Sequence, residues 1–310
     1  VVDYSANFNF RGMPESVRQA AKDAIDASVC YPDPQCEELK AAIAEKENVP
    51  AEWIFCGNGA ADVIFSLVLA LKPQKALLPI PSFYEYRQAL ESVGCQISEI
   101  LLKEDEAFCL QKRFVNEIPM DTDMVCLCNP NNPTGQLIDR EVLEQVADYC
   151  QKTDTCLLLD ECFHDFLEEG SVHTLLPRLK ENPKLFVLRA FTKMYGMAGL
   201  RLGYGICSDT ELIRRMEQVT QPWNVSVPAQ VAGIAREQEF VAVSRQMITE
   251  QKKLLLAGLE AAGAKVYGSA ANYIFFRAAP GFDTRMYRAG FMVRNCGNYD
   301  GLTEGFYRIA

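Results

Sequence analysis

Histidine is nearly missing from this 310-residue sequence: His164 and His173 are the only two. That is too few for a histidine-built zinc cage, so no metal site is expected. No Cys-x-x-Cys pair occurs among the 12 cysteines, and their density is well below that of a disulfide scaffold. Cys126, Cys128, Cys156 and Cys207 stand inside apolar stretches, which reads as reduced, buried thiols in a cytoplasmic protein. Long apolar runs are absent too. The best, Val63 to Leu71, is interrupted by Ser66 and stops at Lys72, short of the roughly 18 residues of a membrane span. Basic residues do not dominate: 31 Lys and Arg face 41 Asp and Glu, a net charge of −10. No global positive field draws this chain to nucleic acid or an anionic membrane, although a few buried arginines can still capture a small anion. The amino terminus shows no basic segment followed by an apolar one, so no signal peptide is expected. Repeats and low-complexity tracts are missing, which removes solenoids and disordered tails.

What is present is an ordinary globular composition, 49% hydrophobic and 23% charged, at a length that predicts about two domains. Continuous apolar runs mark strands at Trp53–Cys56, Ala76–Leu78, Met124–Cys128, Cys156–Leu159, Leu185–Leu188 and Leu202–Cys207. Such runs suit strands covered on both faces. Helical patterns lie between them at Glu37–Lys46, Ala61–Leu71, Tyr84–Val93, Asp139–Lys152 and Thr210–Val219. The alternation predicts an α/β fold, a mostly parallel sheet with helices on both faces. From about Pro228 the pattern changes to one long helix, Glu237–Gly263, followed by short strands at Ala264–Tyr267, Tyr273–Arg277, Phe291–Arg294 and Phe306–Ile309. This is read as a smaller α+β domain joined by the first thirty residues. The division is a large domain over residues 31–235 and a discontinuous small one from 1–30 and 236–310.

Ligands of parallel sheets sit outside the carboxyl ends of the strands, so the loops there carry the chemistry. Gly57-Asn58-Gly59-Ala60 follows the first strand and opens a helix, which offers backbone N–H groups to a phosphate. Pro81-Ser82-Phe83-Tyr84 places an aromatic face after the second. Asn129-Pro130-Asn131-Asn132-Pro133-Thr134-Gly135 fixes amides between prolines, and Asp160 ends an all-apolar strand where a carboxylate needs a partner. Lys193 lies in a glycine-spaced apolar loop, Thr192 to Gly203, and a desolvated lysine is a nucleophile for Schiff-base formation. Each motif alone is an ordinary turn, cap or surface charge. Together they match the phosphate, ring face, ring hydroxyl, pyridine nitrogen and aldehyde of pyridoxal 5′-phosphate.

With these motifs the sequence resembles the fold-type I pyridoxal-phosphate enzymes of the class I/II aminotransferase superfamily. Within it the threonine-phosphate decarboxylases are nearest and the histidinol-phosphate aminotransferases next. The likeness also runs through Asp3-Tyr4-Ser5-Ala6-Asn7, Tyr31-Pro32-Asp33, the Lys193 to Arg201 spacing, Val293-Arg294-Asn295-Cys296 and Tyr307-Arg308-Ile309-Ala310. The resemblance implies that Lys193 bonds the cofactor aldehyde and moves protons, while Asp160 pairs with the pyridine nitrogen. It implies Asn132 on the ring hydroxyl, Phe83 on the ring face, and Gly59, Ala60, Thr192 and Arg201 on the phosphate. Tyr31 would reach the cofactor phosphate of a second subunit, making a homodimer. Arg308 would grip the carboxylate of an amino-acid substrate, with Asn7 and Arg294 helping. Relatives of this kind continue past the strand ending at Ala310, so a longer native chain is expected.

Two positions depart from the aminotransferase pattern. Phe163 stands where a tyrosine commonly donates to the ring hydroxyl, and Ala190 where a phosphate-contacting hydroxyl is common. Phe163, the Ser5-Ala6-Asn7 opening and Arg294 to Tyr299 favour a decarboxylase of O-phospho-threonine, an activity of cobalamin side-chain synthesis. The alternative is an aminotransferase of the histidinol-phosphate type using 2-oxoglutarate. A non-catalytic sensor domain is the remote third reading, since it calls for a basic DNA-binding helix and none precedes Asp3.

Overall fold

The structure, a computed structural model, describes residues 1–168 and 170–310. Its strands in chain order are β1 (Val2–Asp3), β2 (Ile54–Gly57), β3 (Lys75–Ile80), β4 (Gln96–Leu101), β5 (Met124–Cys128), β6 (Cys156–Asp160), β7 (Leu185–Ala190), β8 (Gly203–Ile206), β9 (Lys265–Gly268), β10 (Ile274–Arg277), β11 (Phe291–Met292), β12 (Arg294–Asn295) and β13 (Phe306–Ile309). Its α-helices are α1 (Glu15–Ala27), α2 (Glu37–Glu47), α3 (Ala60–Leu71), α4 (Glu85–Ser92), α5 (Phe114–Glu117), α6 (Arg140–Lys152), α7 (Gly170–His173), α8 (Thr210–Val219), α9 (Val227–Ile234), α10 (Gln238–Ala261) and α11 (Phe282–Arg288).

Seven strands form one sheet in the order β2-β8-β7-β6-β5-β3-β4, parallel except for β8, which runs against both neighbours. Every residue of β5, β6 and β7 is buried, which is why these strands read as unbroken apolar runs. Successive side chains point to opposite faces and split the core in two. Val125, Leu127, Leu157, Leu159, Leu185 and Val187 join one cluster, and Met124, Cys126, Leu158, Phe186 and Leu188 join the other. Nine of the twelve cysteines are buried, serving as small apolar side chains, and burial raises the Cys150 and Cys207 thiols to about 12.

The register sets the site. Cys128, Asp160 and Leu188 lie abreast at the carboxyl ends of β5, β6 and β7. Gly57, Gly203 and Ala190 align at the same edge. The loops that leave this edge are the ones the sequence singles out.

A second sheet, β12-β13-β10-β9, is antiparallel and packs Ile274, Phe276, Tyr307 and Ile309 against Leu259 of α10. The apolar run Phe291–Arg294 is two strands rather than one. β11 pairs in parallel with β1, and after the buried Val293 β12 pairs with β13. The first thirty residues touch both parts of the molecule, because β1 pairs with β11 while α1 packs on α9. Pro228 stands in the first turn of α9, whose Ser226 cap accepts from the Ala229 N–H. Strand β4 is a solvent-facing sheet edge whose apolar residues are interrupted by Ser98 and Glu99, so no apolar run announced it. Among the described residues no helix is long and apolar enough to cross a membrane.

Gly205 on β8 admits no side chain, because a Cβ there would overlap the Phe186 ring on β7. Gly205→Ala is expected to lower stability by about 1–3 kcal/mol or more through overpacking. Phe186→Leu in the same chain should recover part of the loss, as read from urea-unfolding midpoints of the two variants. Equal midpoints for single and double variants would contradict this contact.

Candidate active site

A cavity of about 250 Å³ opens at the carboxyl edge of the sheet, lined by Ala60, Phe83, Asn132, Asp160, Thr192, Lys193 and Arg201. Seven of the residues singled out in the sequence therefore share one chamber. Gly59 adjoins it. Its φ of 89° is a glycine conformation, and a Cβ there would overlap the Arg201 guanidinium. The bare backbone of Gly59 thus lets the arginine lie against the start of α3, where free N–H groups and the helix dipole favour an anion. Arg201 itself holds a positive φ of 60°, a strained conformation at the end of its loop.

Lys193 reaches the cavity from the loop after β7. Its Nζ donates to Asn7 Oδ1 at 2.7 Å and stands 5.6 Å from the Phe163 ring centre. Burial, and then the nearby Arg308 charge, push its amine down to about 8 from the ordinary 10.5. Across the chamber Asp160 is buried at the end of β6, and burial raises its carboxyl. Two donors oppose that effect: the Tyr86 hydroxyl at 2.5 Å and the Cys162 N–H at 2.8 Å. The adjacent Glu161 faces elsewhere. Arg189 holds it from Nη2 at 2.7 Å and reaches Glu47 with Nη1 at 2.9 Å, tying the strand end to α2.

The asparagine loop divides its labour. Asn129 Oδ1 accepts from Ile138 N–H at 2.9 Å, and Asn131 donates to Pro81 O at 3.0 Å, so both amides fold the loop. Asn132 faces the cavity, and its Oδ1 accepts from Arg308. Arg308 is buried, donates to the Ser5 carbonyl at 2.8 Å, and lies over Tyr273. It is also the cross-strand partner of Arg294, which places two like charges side by side, an arrangement that an anion relieves. Arg294 lines a neighbouring cavity of about 330 Å³ that shares Phe83 and Glu85 with the first. Tyr31 is not part of either chamber. It is 79% exposed and stacks on Trp223 at 4.6 Å.

Sequence reasoning missed Tyr86, Glu85, Cys162 and Asn272. Tyr86 had a signal, since it lies three residues beyond Phe83 on a helix that faces the sheet, and a buried Asp160 requires a donor. Asn272, which donates to the Asn7 carbonyl at 3.1 Å, lies in a loop without any distinguishing pattern.

Residues 1–309 match the family described as aminotransferase class I and II. The chain belongs to this family. The threonine-phosphate decarboxylase of Salmonella typhimurium is 36% identical, over 100% of this chain and 86% of that protein. Histidinol-phosphate aminotransferase 1 of Cupriavidus pinatubonensis is 31% identical, over 96% of this chain and 81% of its own. The crystal structure of the histidinol-phosphate aminotransferase from Clostridium acetobutylicum superposes with a TM-score of 0.93 at 28% identity, covering 100% of this chain and 94% of that one. In this aminotransferase-family chain the Lys193 and Asp160 loops thus meet across one chamber.

Two outcomes follow from the geometry. Methyl-labelled Lys193 should titrate near pH 8 by NMR, well below an exposed lysine, and Asn7→Leu should move it lower by removing an acceptor that favours the charged amine. A titration above pH 10 in the native chain would contradict the burial argument. Tyr86→Phe should cost about 1.5–3 kcal/mol at neutral pH, because it removes a donor to a buried carboxylate. Asp160 is raised in the folded state, so its folded form takes up a proton more readily than its unfolded form. The deficit should therefore narrow as pH falls and Asp160 becomes neutral, a trend checked by urea unfolding at several pH values.

Proposed function

We propose that this chain is a pyridoxal-phosphate-dependent enzyme that decarboxylates O-phospho-threonine or a close phosphorylated amino acid. One observation carries the reading: identity of 36% to a threonine-phosphate decarboxylase over all of this chain and 86% of that protein, with Lys193 and Asp160 facing one cavity. The residues suit the cofactor and an anionic substrate. Asn7 Nδ2 and Arg308 Nε are buried donors with no partner, both attached to side chains that touch Lys193 or Asn132. The space beside Gly59 is a cradle that a Cβ would close.

In this reading Thr192, Arg201 and the Gly59 and Ala60 amides hold the phosphate, Phe83 covers the ring, Asn132 bonds the ring hydroxyl and Asp160 the pyridine nitrogen. When bound, the cofactor supplies an electron-withdrawing ring conjugated to the substrate amine. Lys193, held near pH 8, offers a neutral amine for attachment and then carries a proton to or from the substrate α-carbon. Arg308 and Asn7 bind the substrate carboxylate and set its direction, which chooses between losing the carboxylate and losing the α-proton. Arg294, facing the adjoining 330 Å³ cavity, meets the substrate phosphate. Phe163, in place of a hydroxyl donor, leaves Asn132 as the polar contact on that side.

The same reading makes the working unit a homodimer in the cytoplasm, with Tyr31 exposed and free to reach a second subunit's site. It divides the chain into a cofactor domain over 31–235 and a small domain from 1–30 and 236–310. The purified protein should release CO2 from threonine phosphate, and borohydride should fix cofactor absorbance to the chain in the native protein but not in Lys193→Ala. Glutamate formation from histidinol phosphate and 2-oxoglutarate, without CO2 from threonine phosphate, would instead assign the aminotransferase reaction.

A further inference from the structure

Asn9 takes no part in the chemistry above, yet it is fully buried against the lysine loop with its whole side-chain amide engaged. Its Nδ2 donates to the Met194 carbonyl at 2.9 Å and to the Ser244 hydroxyl of α10 at 2.9 Å. Its Oδ1 accepts from the Arg11 N–H at 3.1 Å. The Asn9 main-chain N–H donates to the Lys193 carbonyl at 2.8 Å. Two residues earlier, Asn7 Oδ1 accepts from Lys193 Nζ at 2.7 Å. One short segment therefore grips Lys193 at both ends, by its carbonyl and by its amine. We propose that Asn9 is a positioning residue: anchored on Ser244 of α10, it sets the lysine loop so that the Lys193 amine meets Asn7.

A lysine amine sits at the end of a long flexible stem, so its place is fixed only where backbone and tip are both held. The anchor that does this is well made. Ser244 is fully buried and accepts a second time, from Arg11 Nη1 at 3.1 Å. Arg11 also donates to the Phe240 carbonyl at 3.2 Å and lies 4.4 Å over the Phe240 ring. α10 thus holds both Asn9 and Arg11. The close approach continues at Gly196, whose φ of 61° is a glycine conformation and whose Cβ would overlap the Gly12 backbone.

The remaining ties of this segment lead elsewhere. Arg308 of β13 donates to the Ser5 carbonyl, and Asn272, between β9 and β10, donates to the Asn7 carbonyl. Those bonds fix Asn7 to the second sheet, whereas the Asn9 amide fixes the lysine loop to Asn7. The inference deepens the function proposed above, which rests on Lys193 as the working amine.

The test is a double-variant cycle read on the NMR titration of methyl-labelled Lys193, in the full chain before cofactor is loaded. In the native background Asn7→Leu should lower the titration from about 8. In Asn9→Ala the Asn7 contact is already loosened, so adding Asn7→Leu should lower it by less than half as much. Ser244→Ala leaves Asn9 its bond to Met194 and should weaken the Asn7→Leu effect to a smaller degree. Ile213→Ala lies in α8 and in the core cluster that excludes Met194, so it should lower stability and keep the Asn7→Leu effect at full size. Circular dichroism checks that each variant folds, and Ser244→Ala decides alone if Asn9→Ala does not. A full-size Asn7→Leu effect in either variant would overturn the assignment and leave Asn9 a purely structural residue. So would an equal weakening in Ile213→Ala, or no Asn7→Leu effect in the native background. Cofactor and substrate are both outside this measurement, so its outcome is separate from CO2 release, which tests the proposed function.

Discussion

The structure turns on one carboxylate that must be kept without water. Asp160 ends β6, the strand flanked by β5 and β7, where its register partners Cys128 and Leu188 are apolar and buried. An unpaired carboxylate in such a place is costly, and nearby polar contacts reduce the cost. Tyr86 and the Cys162 N–H donate to it, and Lys193 stands within electrostatic reach. The same burial lowers the lysine amine toward neutral pH. One desolvated chamber therefore prepares an acid and a base in opposite senses, which is how active sites separate the protonation states of paired groups.

Holding Asp160 in place requires a rigid strand end, and the next residue provides it. Glu161 is clamped by Arg189 from the adjacent β7, and Arg189 reaches Glu47, which accepts in turn from the Tyr204 hydroxyl of β8. Breaking such a buried pair by removing one partner costs about 3–5 kcal/mol, so the neighbouring carboxylates divide their work. Glu161 fixes the strand, and Asp160 is left free to face the cavity.

Most of this was legible in the sequence for a physical reason. Strands buried on both faces must be unbroken apolar runs, and the loops at their carboxyl ends must carry the polar groups that the cavity needs. Met124–Cys128, Thr210–Val219 and Phe306–Ile309 are found with the bounds that the runs suggest, and seven named residues share the chamber. The edge strand β4 was not legible, because an edge exposed to solvent has no reason to be apolar. Asn272 was not legible either, because its contact with Asn7 is made at 265 residues' separation, which no local pattern encodes. Tyr86 left only the indirect signal of a buried Asp160 in need of a donor, 74 residues away.

The two arginines show how topology adds chemistry that spacing does not contain. Arg294 and Arg308 are 14 residues apart along the chain, yet β12 and β13 bring them face to face as cross-strand partners. Arg308 is committed to Asn132 and to the Ser5 carbonyl, whereas Arg294 turns over Tyr299 toward the adjoining cavity. A pair of like charges so placed would be relieved by an anion, and on the proposed function the substrate would supply one negative group near Asn132 and another beyond Phe83. A phosphorylated amino acid carries its carboxylate and its phosphate at opposite ends, and the shared wall of Phe83 and Glu85 would lie between them. On the function proposed above, the spacing between the substrate's two negative groups is what this pair of arginines would read.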